Sequence, residues 1–180
     1  MVNPDQKLYM TYELLPIKKS RIKPKAGDVF VIQPRKDVYF FCKVIRTNLS
    51  AVNQLDKGFI DNMNLIYIYK TKTKELIMPE RLDIGDLMMP PQIVNFRGWT
   101  MGYFFTIGNM AVSKEEKGLR YGLWDDRFGR GKYVDAEGRK LKTRPSLFSK
   151  EHGVYALGSY GSVAYCVDQI LKAHPSMLIF

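Results

Sequence analysis

The apolar positions of this chain fall into short β-branched and aromatic runs, separated by glycine, proline and charged clusters, until one helical stripe appears near the end. The strongest run is residues 26–46, AGDVFVIQPRKDVYFFCKVIR. Gly27 and Asp28 open it with a turn, and Pro34, Arg35, Lys36 and Asp37 interrupt it. Its two arms are β-branched and aromatic, which predicts a hairpin. On a pleated backbone Val38, Phe40, Cys42 and Val44 face one way, and Tyr39, Phe41, Lys43 and Ile45 face the other. Both faces carry apolar groups, so the second arm is expected at the centre of a sheet, covered on both sides. A lone hairpin is marginal in water, and the rest of the chain must close over this one.

Downstream, NLIYIY at 64–69 predicts a strand that ends at the charged run 70–74. The polar stretch 47–64 is expected to be a connecting loop. Pro79, Gly85, Pro90 and Pro91 exclude a long helix from 75–92. Residues 94–107 return to strand character, with Gly98 and Gly102 marking a bulge or a close backbone approach. SKEEKG at 113–118 is a turn or a single helical turn, and residues 121–124 a short strand. Residues 132–135 and 139–141 flank Ala136, Glu137 and Gly138 as a second hairpin. Residues 142–153 are polar and basic and are read as loop. From 159 the pattern changes: Val163, Cys166, Val167, Ile170 and Leu171 form one apolar stripe, with Ser159 or Ser162 as cap and Pro175 as stop. The closing MLIF is expected to add an edge strand or to cover apolar surface. Together these elements predict a mainly β, α+β fold: a strongly curved antiparallel sheet or partly open barrel with a C-terminal amphipathic helix packed on it.

At 180 residues, 46% of them hydrophobic, the chain can bury a sizeable core. It is read as a lead-in over 1–22 followed by a single domain over 23–180. No apolar run approaches the roughly 20 residues of a membrane span, so no membrane partner is expected. The N-terminus has an acidic residue early and no uninterrupted apolar core, so it does not read as a secretory signal. Cys42 and Cys166 fit small buried side chains in a reducing cytoplasm, with a disulfide between them left open. The net charge of +10 changes the picture most. It favours an acidic partner: a protein face, nucleic acid or anionic lipid. Lys18, Lys19, Arg21, Lys23 and Lys25 concentrate some of it ahead of the first strand. That run holds no aromatic side chain for base stacking.

Candidate chemistry is sparse. His152 and His174 do not have zinc-ligand spacing with a cysteine or with each other, and no cofactor motif is present. Ser159 lies close to His152 in sequence, but GSYGS is not a nucleophile elbow. The turn at 158–161 could cradle an anion or simply cap the helix. The side chains most suited to gripping a partner are Trp124, Arg127, Phe128, Arg130 and Lys132, on and beside a glycine-rich loop, with Tyr160 at the helix start. Arginine and aromatic residues carry much of the binding energy at protein interfaces.

In order, KPKAGDVFVIQPRKDVYFFCKVI, NLIYIY, GLWDDRFG and YALGSYGSVAYCVDQIL resemble the immunity protein family twenty-six of bacterial polymorphic-toxin and contact-dependent competition systems, over about residues 23–172. The resemblance implies a small cytosolic protein that binds and neutralises a cognate toxin without chemistry of its own; the toxin would offer an acidic contact face to the positive charge. Proteins of this kind are also labelled as resembling a phosphotriesterase, but such centres use clustered histidines and metal, and two histidines are too few. The alternatives are a nucleic-acid-binding small β-barrel and, behind it, a hydrolase using His152.

Overall fold

The structure, a computed structural model, describes residues 13–180. Most of the 1–22 lead-in, and the reading of its start as something other than a secretory signal, lies outside the described residues.

The predicted hairpin forms as β1 (Asp28–Arg35) and β2 (Val38–Arg46), with Asp37 at φ 57° in the turn. Strand β3 (Asn64–Thr73) pairs antiparallel with β2, β4 (Gln92–Val94) with β3, and β5 (Phe105–Asn109) with β1. The sheet order is β4-β3-β2-β1-β5, so β2 is central as expected. Register shifts between Ile32 and Arg35, Phe40 and Cys42, and Val29 and Phe30 bend the strands, because an unpaired extra residue locally raises the twist. The curved sheet stays open. Strand β3 outruns its expected end, since Lys72 and Thr73 pair with Phe40 and Tyr39 across the bulge.

The loop expected over 47–64 instead contains a 3₁₀ turn (Gln54–Asp56) and the short helix α1 (Lys57–Ile60). It packs because Leu49, Ala51 and Ile60 are buried against the sheet. A larger correction concerns 94–107. The sequence reads as one strand, but the structure inserts helix α2 (Arg97–Met101) between β4 and β5, closed by Gly102 at φ 90°. Bulky aromatics suit strands, yet here Trp99 and Phe104 must both turn inward, and only a helical turn brings them together. Their rings meet edge-on at 5.0 Å, and both lie about 5 Å from Phe30. Gly98 is the expected close approach: any Cβ there would enter the Phe104 ring.

A four-residue helix, α3 (Lys114–Lys117), follows, capped reciprocally by Ser113 and Glu116. Strands β6 (Tyr121–Asp125), β7 (Lys132–Val134) and β8 (Leu147–Phe148) build a small second sheet in the order β7-β6-β8. Helix α4 (Tyr160–Ala173) completes the regular structure. Its stripe of Val163, Cys166, Val167, Ile170 and Leu171 packs on the sheet face made by Phe30, Ile32, Phe40, Cys42 and Val44. The opposite face, with Ile45, Leu65, Tyr67 and Tyr69, packs against Leu123, Val134 and Tyr155 from the second sheet region. Both cysteines are free and buried, and burial raises both thiol pKa values. The closing residues cover rather than extend the sheet: Pro175–Leu178 is a 3₁₀ turn, with Met177 and Leu178 on the α4 core.

Ser159 is the N-cap of α4: its hydroxyl accepts from the Gly161 amide at 3.3 Å, and Ser162 Oγ accepts from the Ser159 amide at 2.9 Å. Removing the hydroxyl in Ser159→Ala should cost about 1 kcal/mol. Urea unfolding of the two proteins measures this directly, and an unchanged midpoint would rule the cap out as a contributor.

Candidate functional site

The loop after β6 and the segment after β7 come together beside the second sheet. Between them lies a groove of about 910 Å³. Its floor is a row of three rings. Trp124 meets Tyr133 at 5.1 Å, and Tyr133 meets Phe148 at 5.2 Å, each pair inclined by about 60°. Cations sit on the outer rings: Lys150 Nζ lies 4.1 Å above Trp124, and the Arg144 guanidinium 4.9 Å above Phe148. Arg130, Lys132, Lys140 and Lys142 line the same groove.

The sequence singles out Trp124, Arg127, Phe128, Arg130, Lys132 and Tyr160. The structure brings Trp124, Phe128, Arg130 and Lys132 to one groove. Phe128 stands out at its mouth, 70% exposed. Arg127 points elsewhere. Its Nε and Nη2 donate to the two oxygens of Asp125 at 2.8 and 3.0 Å, and its Nη1 donates to Asp56 at 2.8 Å. The guanidinium lies over Phe59 and Tyr155 at 5.0 and 5.1 Å. It therefore ties the loop after β6 to the 3₁₀ turn ahead of α1. For Asp56, burial pushes the pKa up, but hydrogen bonds from Arg127, Asn53 and Tyr155 outweigh it and leave the carboxyl below its ordinary range. For Asp125 the Arg127 hydrogen bonds dominate and lower it. Tyr160 is not part of the groove: it stacks on Tyr103 at 4.5 Å.

Tyr133 and Phe148, and the cations at 140, 142, 144 and 150, were missed. Their charge is legible in the sequence as a polar, basic stretch. What is not legible is that β8 pairs parallel to β6 and carries that stretch back across from the loop at 126–131.

The other candidate positions differ in character. The five cations of the 18–25 run are exposed, on a lead-in held by backbone bonds from Ile17 to Gly102 and from Ser20 to Trp99. At the start of α4 the amides of Gly158, Ser159, Gly161 and Val163 all have acceptors in the chain, so the turn is a helix cap. His152 Nδ1 is buried with no hydrogen-bond partner among the described residues, and its Nε2 lies 3.8 Å from Glu151. Ser159 Oγ serves the cap instead. Among the described residues no group of three or more His, Cys, Asp and Glu is placed to hold a metal ion, and no helix is long and apolar enough to cross a membrane.

Fold and groove together define a small α+β protein built on an open antiparallel sheet, with a groove lined by cationic and aromatic side chains. The chain belongs to the Immunity protein 26 family, which it matches over residues 25–134, more than half its length. This places it among immunity proteins. The matched stretch ends with β7, so it contains the loop side of the groove and stops short of the wall at 140–150. No curated protein and no solved structure matches the chain.

Proposed function

We propose that this protein binds a cognate bacterial toxin and neutralises it by stoichiometric occlusion, with residues 23–180 acting as one unit in the reducing cytoplasm and no bond made or broken by the protein itself. Family membership supports the immunity role. The observation that carries the binding surface is the groove: cations and aromatic side chains on a shallow, open face, with Phe128 projecting from it. An interface of roughly 1,200–2,000 Å² in total is sufficient for a stable complex, and the toxin would supply an acidic face to it. Cations at the rim would mainly speed association, while a buried aromatic anchor would slow release.

The test is co-expression. A toxin-tipped protein encoded beside this one should arrest growth when its toxic domain is expressed alone. Growth should return when this protein is present, and the two should co-purify in equal amounts. Growth arrest that persists without any complex would remove the proposal.

A further inference from the structure

The groove cations differ from the paired arginines elsewhere in this chain. Arg46, Arg127 and Arg139 each meet a carboxylate within 3 Å. Arg130, Lys132, Lys140, Lys142, Arg144 and Lys150 make no ion pair among the described residues, although all line one groove. The single carboxylate of that lining, Asp125, is 3% exposed and already held by Arg127. Charge of one sign left uncompensated in a concave surface concentrates the field and draws in a polyanion.

The rings decide which polyanion. Proteins that grip single-stranded nucleic acid set bare ring faces along a cationic track, so that successive bases can stack on them. Here the outer faces are covered, Trp124 by Lys150 and Phe148 by Arg144. The middle ring, Tyr133, is wedged between the other two at about 60°, which leaves no parallel slot for a base. A carboxylate needs no ring face. It can pair with the ammonium or guanidinium where that group already sits. Phe128 at the mouth is an exposed apolar knob with the Arg127 guanidinium 5.6 Å from its ring centre, suited to a pocket on a folded partner.

Resting on the immunity reading, we infer that the groove receives a carboxylate-rich segment of the toxin, with aspartate and glutamate side chains between its two cationic walls and an apolar pocket of the toxin over Phe128. A toxin with a cationic, nucleic-acid-binding active site would meet like charge in this groove. The segment bound therefore lies outside any such site.

Trp124 provides the readout, since the other tryptophan, Trp99, is 1% exposed in the core. The intact protein is titrated with a synthetic peptide of alternating glutamate and glycine, and separately with an oligo-dT strand of similar length, at about 50 mM salt, where charge pairs are weakly screened. The peptide should change the tryptophan emission saturably. Trp124→Phe should abolish that change, and the double substitution Lys132→Glu with Arg144→Glu should weaken binding at least tenfold while circular dichroism stays native. Tighter binding of the oligonucleotide than of the peptide overturns the inference, as does peptide affinity that ignores the charge reversal. The toxin supplies the second arm. The charge-reversed protein should fail to protect cells or hold the complex, whereas Arg21→Glu on the lead-in should do both normally. Protection by the charge-reversed protein would sink the groove assignment and leave the immunity reading standing. If the unaltered protein neither binds nor protects, the immunity reading fails and the assignment to a toxin segment falls with it, whatever the peptide titration gives.

Discussion

Replacing Glu116 with alanine should lower stability by about 3–5 kcal/mol, because it strands a lysine in the interior. For a chain of this length that corresponds to a fall in melting temperature of roughly 6–20 °C. Lys43 sits on the central strand, and its side chain is 2% exposed, as is that of Glu116. Its ammonium donates to Glu116 Oε2 at 2.7 Å, Glu116 Oε1 at 3.1 Å and the Ala111 carbonyl at 3.0 Å. Tyr69 donates to the same carboxylate at 2.7 Å, and the Ser113 amide at 2.8 Å. The Tyr67 hydroxyl donates to the Glu116 carbonyl at 2.8 Å. One carboxylate thus fixes α3 to the sheet, caps that helix and neutralises a buried cation. Lys43→Met should cost a similar amount for the mirror-image reason, an anion left unpaired. The double variant Lys43→Met with Glu116→Gln should lose less than the sum of Lys43→Met and Glu116→Gln made singly, since neither charge is then left buried without its partner. Losses below about 1 kcal/mol in the single variants would mean that the pair behaves as a solvated one.

The same pair sets an acid limit. Burial alone would raise the Glu116 pKa, but hydrogen bonds from Lys43, Ser113 and Tyr69, with the Lys43 charge, hold it below its ordinary value. A carboxyl depressed in the native state contributes stability that is complete above its unfolded value, about 4.3. Below that value the unfolded chain takes up a proton that the native protein refuses, so stability falls as pH drops and the contribution is gone once the folded value is passed. Asp56 and Asp125 are depressed too and act in the same direction, from about pH 3.9 downward. Urea midpoints for the native protein should therefore fall as pH drops from about 5 toward 3, and Glu116→Gln should flatten the upper part of that fall.

The second large effect concerns Arg127. Arg127→Ala leaves Asp56 and Asp125, with side chains 2% and 3% exposed, without the cation that holds both. The expected cost is about 3 kcal/mol, toward the lower end for a broken buried pair because the guanidinium itself is one-third exposed. Arg127→Lys keeps the charge but not the fork that reaches both carboxylates, so it should recover only part of the loss. Urea midpoints for the three proteins measure this; equal midpoints for arginine and alanine would show that the clamp contributes nothing to stability. Arg127→Ala should also loosen the loop that presents Phe128, so release of the proposed toxin partner should be faster, as it should be for Phe128→Ala.

The strand pattern was legible because each arm of the first hairpin is a β-branched and aromatic run bounded by its own turn residues. The helix α4 was legible for the parallel reason, a 3.6-residue stripe between a serine cap and a proline. Residues 94–107 misled because tryptophan and phenylalanine serve a strand or a core-facing helical turn equally well, and Gly98 and Gly102 punctuate either. Lys43 could be assigned to a face but not to the interior. Its partner is 73 residues away in a segment that reads as a plain charged turn.

The candidate site divides along the same line. Local sequence placed arginine and an aromatic residue on a glycine-rich loop after β6, and made the next stretch basic. Tertiary structure alone decided which charges are neutralised and which remain. Arg127 is drawn inward to Asp56, 71 residues earlier, while Arg130 and Lys132 come to face Lys140 and Arg144 across a groove. The period of a strand fixes the direction of a side chain, but pairing between charges depends on which segments the sheets bring together, and that order is set by long-range strand pairing.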